Sequence, residues 1–145
     1  MDKIKWCSHK KGGISLIESS SNLAEAYIKK AEEALESMRI NTVKDWKIST
    51  AYYTLYLSLY SILTKIGIKC EIHSCTIEFA KQFLGDFFTK EEITFMEDSL
   101  TARIDTQYYV DRSVPDEQYN QMIRRAPEFL LKCKLILIKL NELIK

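Results

Sequence analysis

Apolar residues recur at intervals of three and four positions over five stretches of this chain, a pattern that predicts amphipathic α-helices. The first predicted helix begins at Ser21 or Asn22, either of which can cap it. Its apolar stripe consists of Leu23, Ala26, Tyr27, Ala31, Ala34, Leu35 and Met38. Lys and Glu occupy the other face, which is typical of a solvated surface.

The second predicted helix, about Val43 to Ile66, carries two apolar stripes. One stripe holds Ser49, Tyr52, Tyr53, Tyr56, Tyr60 and Leu63, and the other holds Ile48, Ala51, Leu55, Leu59, Ile62 and Ile66. A helix that is apolar nearly all round belongs at the centre of a bundle. We expect Gly67 to end it, because glycine readily takes the left-handed conformation at helix C-termini.

Cap and turn residues mark three further helices. Ser74 is expected to cap a short third helix that Gly85 stops, and Thr89 with Glu92 forms the capping box of a fourth. Pro115 opens the last helix. The apolar positions are Ile77, Ala80 and Leu84 in the third helix, Ile93, Met96, Leu100 and Ile104 in the fourth, and Tyr119, Met122, Ile123, Ala126, Leu130, Cys133, Leu137, Leu140 and Ile144 in the last.

Arg103 and Pro127 are unusual residues within these helices. Arg103 shares the packed face of the fourth helix, and an arginine in such a seam needs a partner. Pro127 is expected to kink the last helix, because it removes one backbone hydrogen bond.

The chain is long enough for a single domain at 145 residues, and its four Gly and two Pro argue against an all-β fold. Residues 1–21 predict an irregular N-terminal arm with several lysines and a Gly12-Gly13 pair. Residues 22–145 predict one helical domain. The expected fold is therefore an all-α, up-and-down bundle of four or five helices.

The balance of charge excludes a strongly basic protein, since 21 basic and 20 acidic residues leave a net charge of +1. Lys65 and Lys69 interrupt the richest apolar stretch, so no run reaches the roughly 18 residues of a membrane span. The N-terminal lysines are not followed by the apolar segment of a signal peptide. We therefore expect a cytoplasmic protein without a membrane partner.

A cytoplasmic location predicts that the four cysteines are reduced thiols. They are Cys7, Cys70, Cys75 and Cys133. Cys70-x2-His73-x-Cys75 places three soft metal ligands within six residues, which Cys7 or His9 could complete. The spacing is not that of a familiar zinc knuckle and no second cysteine pair mirrors it. We therefore expect no metal and no cofactor.

Short motifs in a fixed order resemble one known family. They are Cys7-x-x-Lys10-x-Gly12, Leu23-Ala24-x-Ala26-Tyr27-x-x-x-Ala31, Ala51-Tyr52-Tyr53, His73-Ser74 and Arg103-x4-Tyr108. Over nearly the whole chain they are similar to the small, stand-alone prokaryotic branch of the HEPN (higher eukaryotes and prokaryotes nucleotide-binding) superfamily. The resemblance implies a helical bundle, homodimerisation near the arginine element, and pairing with a minimal nucleotidyltransferase in toxin–antitoxin systems.

Catalytic members of that superfamily are metal-independent ribonucleases with an Arg-x4-6-His signature, in which two such elements meet in a dimer cleft. Here the resemblance gives Arg103 the role of the cation, but the histidine positions hold Tyr108, Tyr109 and Val110. Tyrosine, whose ordinary pKa is about 10, is a poor general base at pH 7. His9 and His73 could reach the site only through folding that the sequence does not reveal.

Structural roles compete with these functional ones. Arg103 could form an ion pair that locks the fourth helix onto the bundle, with Asp105, Glu97 or Asp111 as the candidate partners. Tyr52 and Tyr53 are better explained as core residues whose hydroxyls bond across the bundle than as ligands for a base.

The polar connection before Pro115 contains Tyr108, Tyr109 and Arg112, which could stack on and neutralise RNA or form a protein interface. We hypothesise a dimeric, non-catalytic or weakly active module that binds RNA or a nucleotidyltransferase through these residues and Arg103. The resemblance also makes Tyr108 or Tyr109 a candidate nucleotide acceptor. The rival hypothesis is an endoribonuclease that uses Arg103 with Tyr108 or Tyr109.

Overall fold

Helices dominate the computed structural model of the chain, which describes residues 2–143. In chain order the elements are α1 (Lys3–His9), β1 (Ser15–Leu16), α2 (Ser21–Ile40), α3 (Lys44–Ile66), β2 (Ile68–Lys69), α4 (His73–Phe83), α5 (Lys90–Tyr108) and α6 (Asp116–Leu143). The predicted all-α helical bundle is confirmed. Helix α3 packs against α2, α5 and α6.

Helix α3 lies at the centre of the bundle, as its two apolar stripes predicted. Tyr52 and Leu55 are fully buried, and Leu59 is 1% exposed. Val43 caps the helix without a side-chain bond, and Gly67 ends it in the left-handed region at φ 91°. Although α3 is strongly apolar, neither it nor any other helix within residues 2–143 is long and apolar enough to cross a bilayer. A cytoplasmic location stays a prediction.

In the structure, two helices have their N-caps one or two residues earlier in the chain than the sequence predicted. The side chain that caps α2 is that of Ser20, whose hydroxyl accepts a hydrogen bond from the Leu23 amide. Helix α4 begins at His73 after Ile72, without a side-chain cap. Ser74 is therefore not a cap, and its hydroxyl instead accepts a hydrogen bond from the Lys3 ammonium.

The remaining helix ends follow the sequence signals. Thr89 and Glu92 form the complete capping box of α5, each side chain bonding the other residue's backbone amide. Helix α4 ends two residues before Gly85, and α6 begins directly after Pro115. Pro127 lies inside α6. Ile144, predicted as an apolar position of this helix, lies outside the described residues.

The N-terminal arm is not irregular, and this prediction was wrong. Asp2 caps α1 by accepting a hydrogen bond from the Lys5 amide. Gly13 follows in a turn so tight that a Cβ there would lie 1.9 Å from the Cys7 carbonyl oxygen. Strand β1 then pairs antiparallel with β2. A helix of seven residues is too short to form a recognisable periodic stripe, and such helices depend on tertiary contacts.

The expectation of four reduced cysteines was also wrong, because Cys7 on α1 and Cys75 on α4 form a disulfide. Their Cα atoms lie 5.6 Å apart, within the range that a disulfide spans. The two residues are separated by 68 positions, so only folding brings them together. Cys70 and Cys133 are free thiols and buried.

Candidate functional site

Arg103 lies against two tyrosines of the central helix. Its Nη2 atom donates a hydrogen bond to the Tyr53 hydroxyl at 2.8 Å. The guanidinium carbon is 5.2 Å from the centre of the Tyr53 ring and 5.6 Å from that of Tyr52. Cations placed over aromatic rings at such distances are attracted by the ring quadrupole. The seam between α3 and α5 therefore holds this half-buried cation in one orientation.

The expected ion pair of Arg103 is not formed. Within residues 2–143 no carboxylate lies within 4.0 Å of its guanidinium, so Glu97 and Asp111 are not its partners. The third candidate, Asp105, pairs with Arg112 instead, at 3.0 Å. The Nε atom of Arg103 is buried and has no hydrogen-bond partner. The side chain thus carries a positive charge that no described acidic group neutralises.

His73, the first residue of α4, joins this group through Tyr52. Its Nδ1 atom lies 2.7 Å from the Tyr52 hydroxyl, and its ring stacks on that of Tyr56 with centroids 3.9 Å apart. Burial, and then the charge of Arg103, lower the pKa of His73 to about 4. The imidazole is therefore neutral at pH 7. We call Tyr52, Tyr53, Tyr56, His73 and Arg103 the Arg103–His73 cluster.

Two tyrosines of this cluster, Tyr52 and Tyr56, keep their protons at neutral pH. Burial raises the pKa of Tyr52 and of Tyr56 well above the usual value. The interpretation of Tyr52 as a core residue is confirmed, since it is fully buried and its hydroxyl bonds across the bundle to His73. Tyr53 differs, because it is half-buried and its hydroxyl accepts from Arg103. The cluster therefore offers neutral hydrogen-bonding groups around one cation.

Tyr108, Tyr109 and Arg112 form a second group at the end of α5. Tyr108 is the last residue of the helix and is 68% exposed, and Tyr109 is the C-cap. The guanidinium carbon of Arg112 lies 3.7 Å from the centre of the Tyr109 ring, while Nη1 bonds Asp105. In the described part of the chain no hydrogen bond, ion pair or ring contact joins this group to Arg103.

A shallow groove between α2 and α3 opens beside Tyr53 and measures about 450 Å³. Its walls consist of Tyr27, Lys30, Glu33, Ala34, Thr50, Tyr53 and Leu57. Lys30 and Glu33 give the groove one charge of each sign. Tyr53 is the member of the Arg103–His73 cluster that lines this groove, which is open and does not enclose a ligand as a typical small-molecule pocket does.

The candidate metal ligands do not gather around a common point. Cys75 is bonded to Cys7, and the Cys70 thiol donates to the Ile72 carbonyl oxygen at 3.3 Å. His73 uses Nδ1 for its bond with Tyr52. Among residues 2–143 no three His, Cys, Asp or Glu side chains are grouped as a metal ion would need.

Neither models of protein families nor curated proteins gave a match to this chain. Membership of the HEPN superfamily therefore stays a prediction that rests on the order of the motifs. One of those motifs, His73-Ser74, contained the signal for the histidine of the cluster. The motif predicts only the start of a helix. The approach of His73 to Arg103 depends on how α4 packs against α3, which the motif does not determine.

Proposed function

We propose that this chain is a HEPN-type module that binds the phosphate backbone of RNA at Arg103. The observation that carries the proposal is the guanidinium itself, which is half-buried and has no carboxylate partner among the described residues. A guanidinium has five N–H donors in a planar fork that matches a phosphate, and Tyr53 takes only one of them. A phosphate would supply the charge that Arg103 lacks.

Binding ranks above catalysis because of the state of His73. General acid–base catalysis is most efficient when the pKa of the catalytic group is near the working pH. A histidine with a pKa of about 4 is a weak base at pH 7. The runner-up function, a metal-independent endoribonuclease, is nevertheless favoured by one observation, since His73 is linked to Arg103 through Tyr52. In that case His73, rather than Tyr108 or Tyr109, would be the second catalytic residue.

The proposed module is a homodimer that pairs with a minimal nucleotidyltransferase. Tyr108 is the favoured nucleotide acceptor, because it is more exposed than Tyr109, whose ring is in contact with Arg112. In the transfer, the Tyr108 oxygen bonds to the α-phosphorus of a nucleoside triphosphate and pyrophosphate leaves. The phenolic proton passes to a base of the partner enzyme. The modification adds negative charge and would repel RNA.

The binding test compares Arg103→Ala with Arg39→Ala, which removes the same charge from an exposed position of α2. Fluorescence anisotropy with labelled single-stranded and structured RNA, at low and high salt, measures the dissociation constant. Hydrogen bonds to a charged group contribute about 1.5 to 3 kcal/mol, so Arg103→Ala should weaken binding by roughly 10- to 100-fold. Arg39→Ala should bind nearly as the unmodified protein does.

Equal loss of affinity in both variants, or no binding at low salt, would show that Arg103 is not an RNA-binding residue. The same RNA is then followed for cleavage. Efficient cleavage that is lost in both Arg103→Ala and His73→Gln would make the protein an endoribonuclease and reverse the ranking.

A further inference from the structure

Two contacts link helix α1 to the first turn of α4, which contains His73. The Cys7–Cys75 disulfide joins it to the first turn of α4, and the Lys3 ammonium donates to the Ser74 hydroxyl at 3.2 Å. Ser74 directly follows His73 in the sequence. The outer face of α1 is therefore part of the same surface as the first turn of α4.

That outer face presents an indole ring with two lysine ammonium groups near it. Trp6 is 39% exposed, although tryptophan is one of the side chains with most apolar area to bury. The Nζ atoms of Lys3 and Lys10 lie 5.1 Å and 5.8 Å from the centre of its ring. Both lysines are exposed and neither forms an ion pair within residues 2–143.

The surroundings of Trp6 are basic as well. A groove of about 340 Å³ next to α1 is lined by Lys10, Lys11 and Lys69 and by a single acidic residue, Glu71. Lys69 lies 3.7 Å from Glu71 and partly offsets it. Since the whole chain has a net charge of only +1, this is a local concentration of positive charge.

We propose that Trp6 is a stacking platform for an unpaired base of single-stranded RNA, with Lys3 and Lys10 neutralising the flanking phosphates. The inference rests on the proposed binding of RNA phosphate at Arg103 and extends that site onto α1. An aromatic ring stacks on any unpaired base, and nearby cations hold the backbone. A duplex keeps its bases inside the helix, so double-stranded RNA cannot use Trp6 in this way.

The second tryptophan provides a matched control. Trp46 on α3 is 57% exposed, yet in the described part of the chain no lysine or arginine lies over its ring. Because the chain has two tryptophans, Trp46→Phe leaves Trp6 as the sole indole reporter and Trp6→Phe leaves Trp46. Stacking on a base quenches indole fluorescence.

The experiment titrates each single-tryptophan variant with single-stranded oligouridylate and with an RNA duplex of equal length. Oligouridylate should quench the emission of Trp6 but not of Trp46, and the duplex should quench neither. Removing one base–aromatic stack should also weaken oligouridylate binding by Trp6→Ala about fivefold to a hundredfold, with Trp46→Ala unchanged. The fluorescence comparison retains Trp6, so it holds even where Trp6→Ala folds poorly.

Failures of the two proposals give different results. Binding that depends on Arg103 but leaves Trp6 emission unchanged would overturn the stacking platform and support the Arg103 site. Quenching of Trp6 that is unaffected by Arg103→Ala would support stacking and overturn the proposed role of Arg103. The absence of any oligouridylate binding at low salt would overturn both.

Discussion

A positive charge in a half-buried position costs free energy unless neighbouring groups compensate for it. For Arg103 the compensation comes from the faces of Tyr52 and Tyr53 and from one hydroxyl oxygen, none of which carries a charge. Such groups orient the guanidinium without neutralising it. Under the proposed function, the phosphate of the ligand would supply the charge that these groups lack.

His73 should make the protein less stable as the pH falls. Its pKa is about 4 in the folded protein, whereas an unfolded histidine has a pKa near 6.5, so the unfolded chain binds the proton more tightly. The contribution is fully present above about pH 6.5 and is lost progressively down to about pH 4. In urea unfolding between pH 4 and 7, His73→Gln should flatten this part of the profile.

His9→Gln is the control for this profile, because His9 is the other histidine of the chain and is exposed on α1. This variant retains His73, so it should keep the slope of the unfolding free energy that His73→Gln loses. A nuclear magnetic resonance titration that placed the pKa of His73 at or above 6.5 would contradict both its burial and its proximity to Arg103.

The sequence identified only part of this residue cluster. Arg103 could be predicted to lie in a packed seam, because the 3.6-residue period of α5 places it on the apolar face. His73 could not be linked to it, since that contact joins residues 30 positions apart through a tyrosine of a third helix. The sequence also could not identify the partner of Arg103, because helical spacing does not determine the direction in which a long side chain turns.

At the level of whole elements, the length of a helix determined whether its bounds and position could be predicted from the sequence. Helix α3 has 23 residues and two stripes, so both its ends and its central position were apparent from the sequence. Helix α1 has seven residues, one of them buried, and offers no comparable period. Its position depends on Cys75, on Ser74 and on the pairing of β1 with β2, all of which are distant in sequence.

The disulfide between α1 and α4 should contribute strongly to stability. Loop-closure entropy for a crosslink spanning 68 residues corresponds to about 3 to 5 kcal/mol in the free energy of unfolding. Reduction with dithiothreitol should therefore lower the midpoint of chemical unfolding, as followed by circular dichroism. The double variant Cys7→Ala/Cys75→Ala should show the lower midpoint with or without reductant, because it has no bond to reduce.

Two results would count against this crosslink. One is an unchanged unfolding midpoint of the unmodified protein after complete reduction. The other is mass spectrometry of the protein, purified without reductant, in which all four cysteines react with an alkylating agent after denaturation. Cys70 and Cys133 should react in either case, since both are free thiols.

On the scale of the whole molecule, the proposed RNA site combines helices that are far apart in the sequence. Helix α1 supplies Trp6 and Lys3, and the residue that follows it is Lys10; α4 supplies His73, and α5 supplies Arg103. Helix α3 holds the cluster together through Tyr52 and Tyr53. Since the net charge is only +1, the proposed binding of RNA rests on this local arrangement and not on the overall charge of the protein.

The remaining prediction concerns assembly. Two exposed apolar surfaces are candidates for the homodimer interface. One is the end of α5, where Val110 is fully exposed next to Tyr108 and Tyr109. The other is a stripe on α6 formed by Leu131, Leu135 and Ile138, each more than half exposed. Exposed apolar patches commonly mark interfaces. We predict the first surface, centred on Val110 with Tyr108 at its accessible edge, since a two-fold axis there would bring both copies of the Arg103 element together.

Sedimentation velocity of two charge variants distinguishes these surfaces. Val110→Asp should convert a micromolar dimer into a monomer, because the symmetry places two new carboxylates close together in the interface. Leu135→Asp, an equivalent change on the α6 stripe, should leave the dimer intact. Both positions are exposed, so neither variant should lose its helical circular dichroism. The reverse pattern would assign the interface to α6, and an unmodified protein that sediments as a monomer would show that the predicted homodimer is wrong.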